Sequence, residues 1–368
     1  MFIIVYFQLF RFQYLFLLVK FIPNFQFTSN LCFIWGILLL KFEKFRVNKS
    51  IQAYCLLILT TFCWGLNAVF ARMAAGEISP MLLVSIRWLG TLFLLAMFAG
   101  RMIKEDITSI WPQKGYPFLM GLFGLGGFGT LIYYSAYYTT AVKIGIIQGA
   151  MPAIVLVGSC WFFRTSITLI QIIGVFVTML GVLFVSINGE LEKLLYLRFN
   201  KGDLLMLIAV VFYGAYTVGL RRKHDLSSIV LFASVVFWAF ISTLPLTIFE
   251  FVSGKTGWPD EDVWIIIGLI ILLPSFLSQI CFIASVKLIG PARSGVFVNL
   301  VPVFASFLAV QLLGELFEVY HGISLFLVLS GIFIFEKFKR QNTWSIFHVF
   351  DLHLFLGINL EHTIKQIS

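Results

Sequence analysis

The sequence repeats itself after about 150 residues, and this repeat narrows the possible folds more than any other feature. The matched residues are Gly145 with Gly295, Pro152 with Pro302, Gly181 with Gly331, Gly65 with Gly214 and Arg72 with Arg221. Each copy contains five long apolar segments. Because five is odd, the second copy must cross a membrane in the opposite direction from the first. Inverted repeats of this kind build alternating-access transporters, with the substrate site near the midplane.

The composition indicates that a bilayer is the solvent for most of the chain. Of the 368 residues, 60% are hydrophobic and only 12% are charged, and the mean hydropathy is +0.98. A soluble domain of this length could not bury that much apolar surface. The net charge of +9 could indicate nucleic acid, but the cations lie in short clusters between apolar runs, as in basic cytoplasmic loops. We therefore expect contact with lipid and no nucleic acid.

Ten segments are long and apolar enough to cross a bilayer as helices, which takes roughly 20 residues. They are 54–74, 79–99, 117–138, 142–162, 169–187, 203–221, 228–250, 263–286, 292–313 and 320–336. The predicted fold class is an all-α integral membrane protein with ten transmembrane helices. These form two inverted five-helix repeats, at 51–188 and 201–338.

Lysine and arginine predict the orientation, because they concentrate in cytoplasmic loops. If the residues before the first helix are cytoplasmic, only six of these cations fall outside: Arg72, Lys143, Lys193, Arg198, Lys201 and Lys255. The sequence therefore predicts that both ends of the ten-helix core face the cytoplasm. Arg222 and Lys339 should then lie inside and Gly257 outside.

The two ends of the chain fall outside the repeat. Residues 1–50 form an N-terminal extension whose apolar run, 31–40, is short for a span. It is either an extra interfacial or eleventh helix, or the result of a start assigned too far upstream. We expect no cleaved signal peptide, because no basic start is followed by a small-residue cleavage site. Residues 341–368 are expected to form a peripheral tail.

The sequence shows no reactive constellation. Its five cysteines are scattered and its five histidines lie near loops or in the tail, so neither zinc nor a disulfide is indicated. No paired acids or histidine cluster falls within a span, and no G-x-x-x-x-G-K-[ST] segment occurs. We expect no metal, no cofactor and no enzyme activity. None of the acids lies at the centre of a span, which favours facilitated diffusion or exchange over a proton-carrying carboxylate.

Six segments carry a family resemblance. They are CWGLNAVFARMA (63–74), SPMLLVSIRWLGTLFLLA (79–96), GAMPAIVLVG (149–158), KGDLLMLIAVVFYGAYTVGLRR (201–222), NLVPVFASFLAVQLLGE (299–315) and HGISLFLVLSGIFIF (321–335). In this order and spacing they resemble the EamA family of the drug/metabolite transporter superfamily, over about residues 54–337. The resemblance implies two inverted five-helix repeats that move small metabolites, often across the bacterial inner membrane.

The chain departs from the family pattern in one connection. After the ninth helix it has Gly314 and Glu315, whereas the matching place in the first half reads FFRTS (162–166). No acid stands there, so a symmetric role for the two connections is not expected.

Prolines and glycines predict where helices bend or meet. Pro152 and Pro302 lie inside helices at matched positions, and matched interruptions are the best pointer to a site in such repeats. A packing kink alone is the alternative. With Gly145 and Gly295 they form our structural or gating candidates. Glycines also crowd the third helix, where close packing is favoured over a hinge; they are Gly121, Gly124, Gly126, Gly127 and Gly129.

Arg87 is the only fixed charge well inside a predicted span. Such a charge costs about 2.5–3.5 kcal/mol on insertion scales, so it should face the protein interior and have partners. It could bind an anionic group of a substrate. The resemblance favours a shared structural role instead, because the family carries arginine at this place across many substrates.

Polar and aromatic residues at mid-helix depth complete the candidate substrate cavity, because a buried amide in lipid needs a partner. With Arg87 they are Trp64, Asn67, Tyr133, Tyr137, Gln148, Tyr213, Tyr216, Gln279 and Asn299. Singly, each is better explained by a contact between helices. As a set, they would line one central cavity.

Three classes of protein compete for this sequence. The first is a secondary transporter for a small metabolite, whether amino acid-like, nucleoside-like or drug-like. The second is a non-transporting membrane scaffold, which would not need a polar and aromatic set at mid-depth. The third is a membrane enzyme, which would need reactive groups that the spans lack. The transporter is favoured. Its expected partners are a small-molecule substrate and lipid, and a homodimer is left open.

Overall fold

The computed structural model describes residues 48–110, 114–221, 227–254 and 257–337. Most of the N-terminal extension, the tail 341–368, Arg222 and Lys339 lie outside these ranges, so the predictions made for them stay predictions. All packing described below belongs to the compact unit that begins at Ala53.

Ten helices in the described residues are long and apolar enough to cross a membrane, which confirms the predicted fold class. In lipid, backbone groups must be satisfied within the segment, so uncharged apolar runs of this length fold as helices. They are α1 (Lys49–Met73), α2 (Pro80–Ile110), α3 (Gly115–Ala136), α4 (Ala141–Phe163), α5 (Leu169–Ser186), α6 (Lys201–Gly219), α7 (Ser228–Val252), α8 (Glu261–Ile289), α9 (Pro291–Leu313) and α10 (Val319–Lys337).

We name the two ends of the bundle by the predicted orientation. The outer end carries the α1–α2 connection, 74–79, and the inner end carries the α4–α5 connection, 164–168. Polar caps fix several helix starts at these ends. Thr168 and Gln171 form a capping box at α5, and Asn200 and Asp203 form another at α6. Each box satisfies backbone N–H groups that a helix start leaves free.

Four spans are irregular, and their irregularities match across the repeat. α3 contains a π-helical segment, Met120–Gly127, and α8 contains one at Ile271–Leu277. α4 is broken between Gln148 and Met151, and α9 between Phe297 and Leu300. π-helical turns are rare and are frequently found at functional sites.

The prolines at the two breaks begin new helical segments instead of bending continuous ones. Pro152 lies in the first turn of the second half of α4, where a missing N–H costs no hydrogen bond. Pro302 lies in the first turn of the second half of α9. The kink that the sequence predicted is therefore a full interruption in both repeats.

Glycines allow close approach between helices, as the sequence predicted for α3. A Cβ atom on Gly124 would lie 2.6 Å from the Cβ of Tyr216 in α6, and one on Gly121 would lie 2.4 Å from the carbonyl oxygen of Val235 in α7. Neither approach is possible with a larger residue. The π-helical part of α3 is thereby held against α6 and α7.

α5 and α10 meet through small residues in a symmetric way. A Cβ on Gly174 would lie 2.8 Å from the carbonyl oxygen of Gly331, and one on Gly331 would lie 2.6 Å from that of Gly174. A Cβ on Gly181 would lie 3.0 Å from the carbonyl oxygen of Ser324. The last helices of the two repeats are thus packed backbone to backbone.

Candidate substrate site

Aromatic rings from four helices meet around Tyr213 of α6. Its ring centroid lies 5.7 Å from that of Trp64 (α1), 4.7 Å from that of Phe128 (α3) and 5.3 Å from that of Tyr216. Phe282 of α8 closes the group, 5.1 Å from Trp64. Offset and edge-on ring pairs at these distances are favourable beyond their buried area. Tyr213 therefore sits at the junction of the two repeats.

Arg87 of α2 lies beside this aromatic group. Its Nε donates to the Ser275 hydroxyl of α8 at 3.0 Å, and its guanidinium carbon lies 5.0 Å from the centroid of the Trp88 ring. Tyr133 and Tyr213 are near enough to interact with it electrostatically. The charge predicted to face the interior does so, and its hydrogen-bond partner belongs to the π-helical segment of α8.

Gln279 of α8 lies between the two tyrosines of α6. Its Oε1 is 3.5 Å from the Tyr216 hydroxyl and its Nε2 is 3.5 Å from the Tyr213 hydroxyl. Both contacts are at the outer limit of hydrogen bonding and are weak. We call the whole set the central cluster: Trp64, Arg87, Phe128, Tyr133, Tyr213, Tyr216, Ser275, Gln279 and Phe282.

Two other predicted residues lie close to mid-depth without joining the central cluster through a contact. Asn67 is one helical turn from Trp64 on the same side of α1. Its side-chain oxygen is buried and has no hydrogen-bond partner among the described residues. Gln148 is half-buried where the first half of α4 ends. A buried acceptor without a donor, such as Asn67, is a natural contact for a bound solute.

Asn299 joins the two broken helices. Its amide nitrogen donates to the Thr178 hydroxyl of α5 at 2.9 Å and to the carbonyl oxygen of Gly149, in the break of α4, at 3.3 Å. Asn299 itself lies in the break of α9 and is fully buried. The interruptions of the two repeats are therefore in direct contact, and this amide serves packing between helices.

Tyr137 does not lie at mid-depth as the sequence suggested. It follows the last residue of α3 at the outer end and is 64% exposed. Partial burial, and then the neighbouring Glu250 carboxylate, raise the pKa of its phenol. The predicted span for α3, 117–138, already placed Tyr137 one residue from its end, so a position at mid-depth was not consistent with that span.

Residues around the central cluster differ in burial. Val155, Tyr216 and Phe282, which lie on the inner side, are fully buried. Tyr133 and Pro302, at or beyond mid-depth toward the outer end, keep accessible surface.

Matched cations hold neighbouring helices at opposite ends of the bundle. At the outer end Lys143 of α4 pairs with Asp203 of α6 at 2.7 Å, and Asp203 also accepts from the Thr139 hydroxyl. At the inner end Arg293 of α9 pairs with Glu336 of α10 and donates to the Tyr54 hydroxyl of α1 at 2.6 Å. Lys143 thus joins α4 to α6, and Arg293 joins α9 to α1. These two helix pairs are equivalent in the two repeats.

A second pair of contacts at the ends differs in chemistry. Arg72 at the outer end forms an exposed ion pair with Glu315, at 2.5 Å. Its repeat partner, Arg221, lies at the inner end with its guanidinium 4.9 Å from the Phe163 ring centroid. The missing acid in FFRTS is therefore replaced by a cation–π contact.

Other concave or ligating features of the described residues contribute little chemistry. A crevice of about 250 Å³ between α4 and α5 is lined only by apolar side chains. Such a lining has no polar group to orient a solute. Within the described ranges, no group of three or more His, Cys, Asp or Glu could hold a metal ion.

The sequence missed three members of the central cluster: Phe128, Ser275 and Phe282. The two phenylalanines are indistinguishable in sequence from the many that face lipid. Ser275 could have been found, because a charged Arg87 inside the membrane requires a polar partner and Ser275 follows Pro274, a proline inside a predicted span.

Comparison with known proteins agrees with these observations. Residues 51–187 and 200–336 each match the model of the EamA-like transporter family. The uncharacterized transporter YyaM of Bacillus subtilis is 24% identical over 287 residues, covering 77% of this chain and 93% of that protein. The uncharacterized transporter YetK of the same organism is 24% identical over 299 residues, covering 80% and 90%. A crystal structure with 15% identity matches with a TM-score of 0.65 over 77% of this chain and 96% of its own, so the fold is shared.

Proposed function

We propose, since this chain belongs to the EamA-like transporter family, that it is a secondary transporter that carries a small metabolite by alternating access between its two repeats. The chain is an integral, multi-pass membrane protein. The proposal adds a mechanism and a site to that statement. The solute would bind at the central cluster, with Asn67 and Gln148 on the outer side.

The observation that carries the proposal is the pairing of the broken helices. In transporters built from inverted repeats, discontinuous helices meet near the midplane, and the substrate site lies where the repeats face each other. Here the breaks of α4 and α9 are joined by Asn299, and α3 and α8 carry matched π-helical segments. A scaffold would gain nothing from two interruptions at equivalent depth.

The chemistry of the central cluster supports a solute with a planar or apolar body. Within the cluster, Trp64, Phe128, Tyr213 and Phe282 carry ring faces and edges and Gln279 carries a hydrogen-bonding amide; Asn67 adds a second amide beside the cluster. Amino acid-like, nucleoside-like and drug-like molecules share this combination.

The test is transport by the purified full chain in proteoliposomes. Uptake and efflux are measured against a panel of amino acids, nucleosides and cationic drugs, with protein-free liposomes as the blank. Saturable movement of at least one solute, and faster exchange when that solute is present on both sides, are expected. A protein that inserts correctly and moves none of the panel would favour the scaffold.

Asn67→Ala is expected to weaken binding of the transported solute about tenfold, because it removes an acceptor that has no partner within the described protein. Expression should be unchanged. The measurement is the KM for uptake alongside the amount of folded protein. The matched control is Thr61→Ala on the same helix, whose hydroxyl is satisfied by its own backbone at Leu57. Loss of expression with an unchanged KM would make Asn67 a packing residue.

We also propose that the protein lies in a bacterial inner membrane with both core ends cytoplasmic. In a background without its five cysteines, Gly257→Cys should react with an impermeant thiol reagent added to intact cells. Gly115→Cys should react only after the cells are opened. Gly115 has no atom within 4 Å of an added Cβ, so the substitution should not disturb packing. Labelling of position 115 from outside contradicts the orientation.

A further inference from the structure

Arg87 carries a positive charge that the protein leaves uncompensated. Its one hydrogen bond uses Nε, toward Ser275. Neither terminal guanidinium nitrogen has a hydrogen-bond or ion-pair partner anywhere in the described part of the chain. Arg87 is half-buried as a residue, and its terminal nitrogens are not among the fully enclosed polar atoms that lack a partner. Its terminal nitrogens therefore keep some accessible surface beside the central cluster.

The nearest elements supply no carboxylate to neutralise this charge. Glu250 of α7 approaches α2, but it accepts from the backbone N–H of Met81 at 3.2 Å. Met81 precedes Arg87 by six residues, which is about 9 Å along the helix. The groups that interact electrostatically with Arg87 are the Trp88 ring, 5.0 Å from its guanidinium carbon, and the neutral phenols of Tyr133 and Tyr213. An arginine placed only for structure would normally be paired in this environment.

An uncompensated cation at mid-depth selects the charge of what binds beside it. In a low-dielectric interior it attracts an anion and repels a cation far more strongly than in water. A guanidinium with two free nitrogens matches a carboxylate, which accepts two parallel hydrogen bonds. Tyr213 is near enough to Arg87 to interact with it electrostatically, and its ring contacts that of Trp64. These two rings suit an apolar or aromatic body.

We propose that the transported solute is a small organic carboxylate, whose anionic group binds the terminal nitrogens of Arg87 while its body packs on Trp64 and Tyr213. The inference rests on the proposed transport function and narrows its substrate class. Moving a monovalent anion also couples transport to the membrane potential. A potential of 100 mV shifts the equilibrium distribution of such a solute about 50-fold.

The experiment uses matched series in which only the charge changes. Each series contains a carboxylate, its amide and the corresponding amine, built on a phenyl, indole or aliphatic body. Isothermal titration calorimetry measures the binding of each compound to the detergent-solubilised full chain. At least one carboxylate should bind at least tenfold tighter than its amide, and its amine should bind more weakly still. If no carboxylate binds more tightly than its amide, the assignment is overturned.

Variants separate binding from structural support. Arg87→Met should abolish the preference for carboxylate over amide while the melting temperature stays equal or rises, because an unpaired buried charge has been removed. Arg87→Lys should fold and retain part of the preference. Arg101→Gln, on the same helix but exposed, is the control and should change neither. The proposal is overturned if both variants keep the preference for carboxylate over amide and Arg87→Met lowers the melting temperature. Arg87 would then have a structural role.

Transport then distinguishes this inference from the function on which it rests. In proteoliposomes an inside-positive potential should drive uptake of the carboxylate and leave amide movement unaffected. Movement of amides or amines without any carboxylate preference would refute the substrate class and leave the transporter standing. Carboxylate binding with no movement of any solute would refute the transporter itself.

Discussion

An Asp203→Asn variant is expected to lose about 3 kcal/mol of folding stability, the lower end of the range for breaking a buried ion pair. Asp203 and Lys143 side chains are only 4% and 12% exposed, and Nζ lies 2.7 Å from the carboxylate. Asparagine keeps the size and one oxygen but removes the charge, so Lys143 is left buried without a counter-ion. The lower end applies because the pair lies near the membrane surface.

The measurement is unfolding of the purified protein in mixed micelles as dodecyl sulfate is raised. Glu105→Gln is the matched control, since it breaks an ion pair whose side chains are 93% and 62% exposed, and should cost no more than about 0.5 kcal/mol. Adding Lys143→Met to Asp203→Asn should recover most of the loss, because no unpaired charge then remains. If Asp203→Asn unfolds at the same detergent fraction as the parent, the pair does not tie α4 to α6.

Gly331→Ala should destabilise the protein by about 1–3 kcal/mol, as expected for an overpacked core. The added Cβ would lie 2.6 Å from the Gly174 carbonyl oxygen and 2.7 Å from the Thr178 nitrogen. Both are backbone atoms of α5 and cannot rotate away, so α5 and α10 must separate.

Gly322→Ala on the same helix provides the comparison for Gly331. No atom lies within 4 Å of its added Cβ, and alanine is the better helix former, so stability should be equal or slightly higher. Thermal unfolding in detergent measures both variants. Equal behaviour of the two would show that the α5–α10 contact is looser than the backbone distances indicate.

The sequence predicted the spans well, because lipid leaves an apolar run few choices other than a helix. It could not predict how the spans are interrupted. The π-helical segments at Met120 and Ile271 depend on how each turn packs against neighbouring helices, which no local pattern records. The ion pairs were missed for a related reason: Lys143 and Asp203 are 60 residues apart and lie in different repeats.

For the candidate site, the sequence indicates how deep in the membrane a residue lies, but not which neighbouring helices its side chain faces. Trp64, Tyr213 and Gln279 were singled out by depth and lie together in the structure. Asn299 has similar depth but points into the contact with α4 and α5. The side of a helix that faces the bundle is decided by crossing geometry, which a nearly uniform apolar sequence does not encode.

If the protein works by the proposed alternating access, the unequal contacts at the two ends affect the relative free energies of its outward-facing and inward-facing forms. Two perfectly equivalent halves would make the outward-facing and inward-facing forms degenerate. Here an exposed Arg72–Glu315 pair joins α1 to the α9–α10 connection at one end, and an Arg221–Phe163 contact joins the end of α6 to α4 at the other. An exposed ion pair contributes roughly 0–1 kcal/mol, which biases the two populations at most about fivefold. Salt screens the ion pair more than the ring contact, so ionic strength alone should shift which side the resting protein faces.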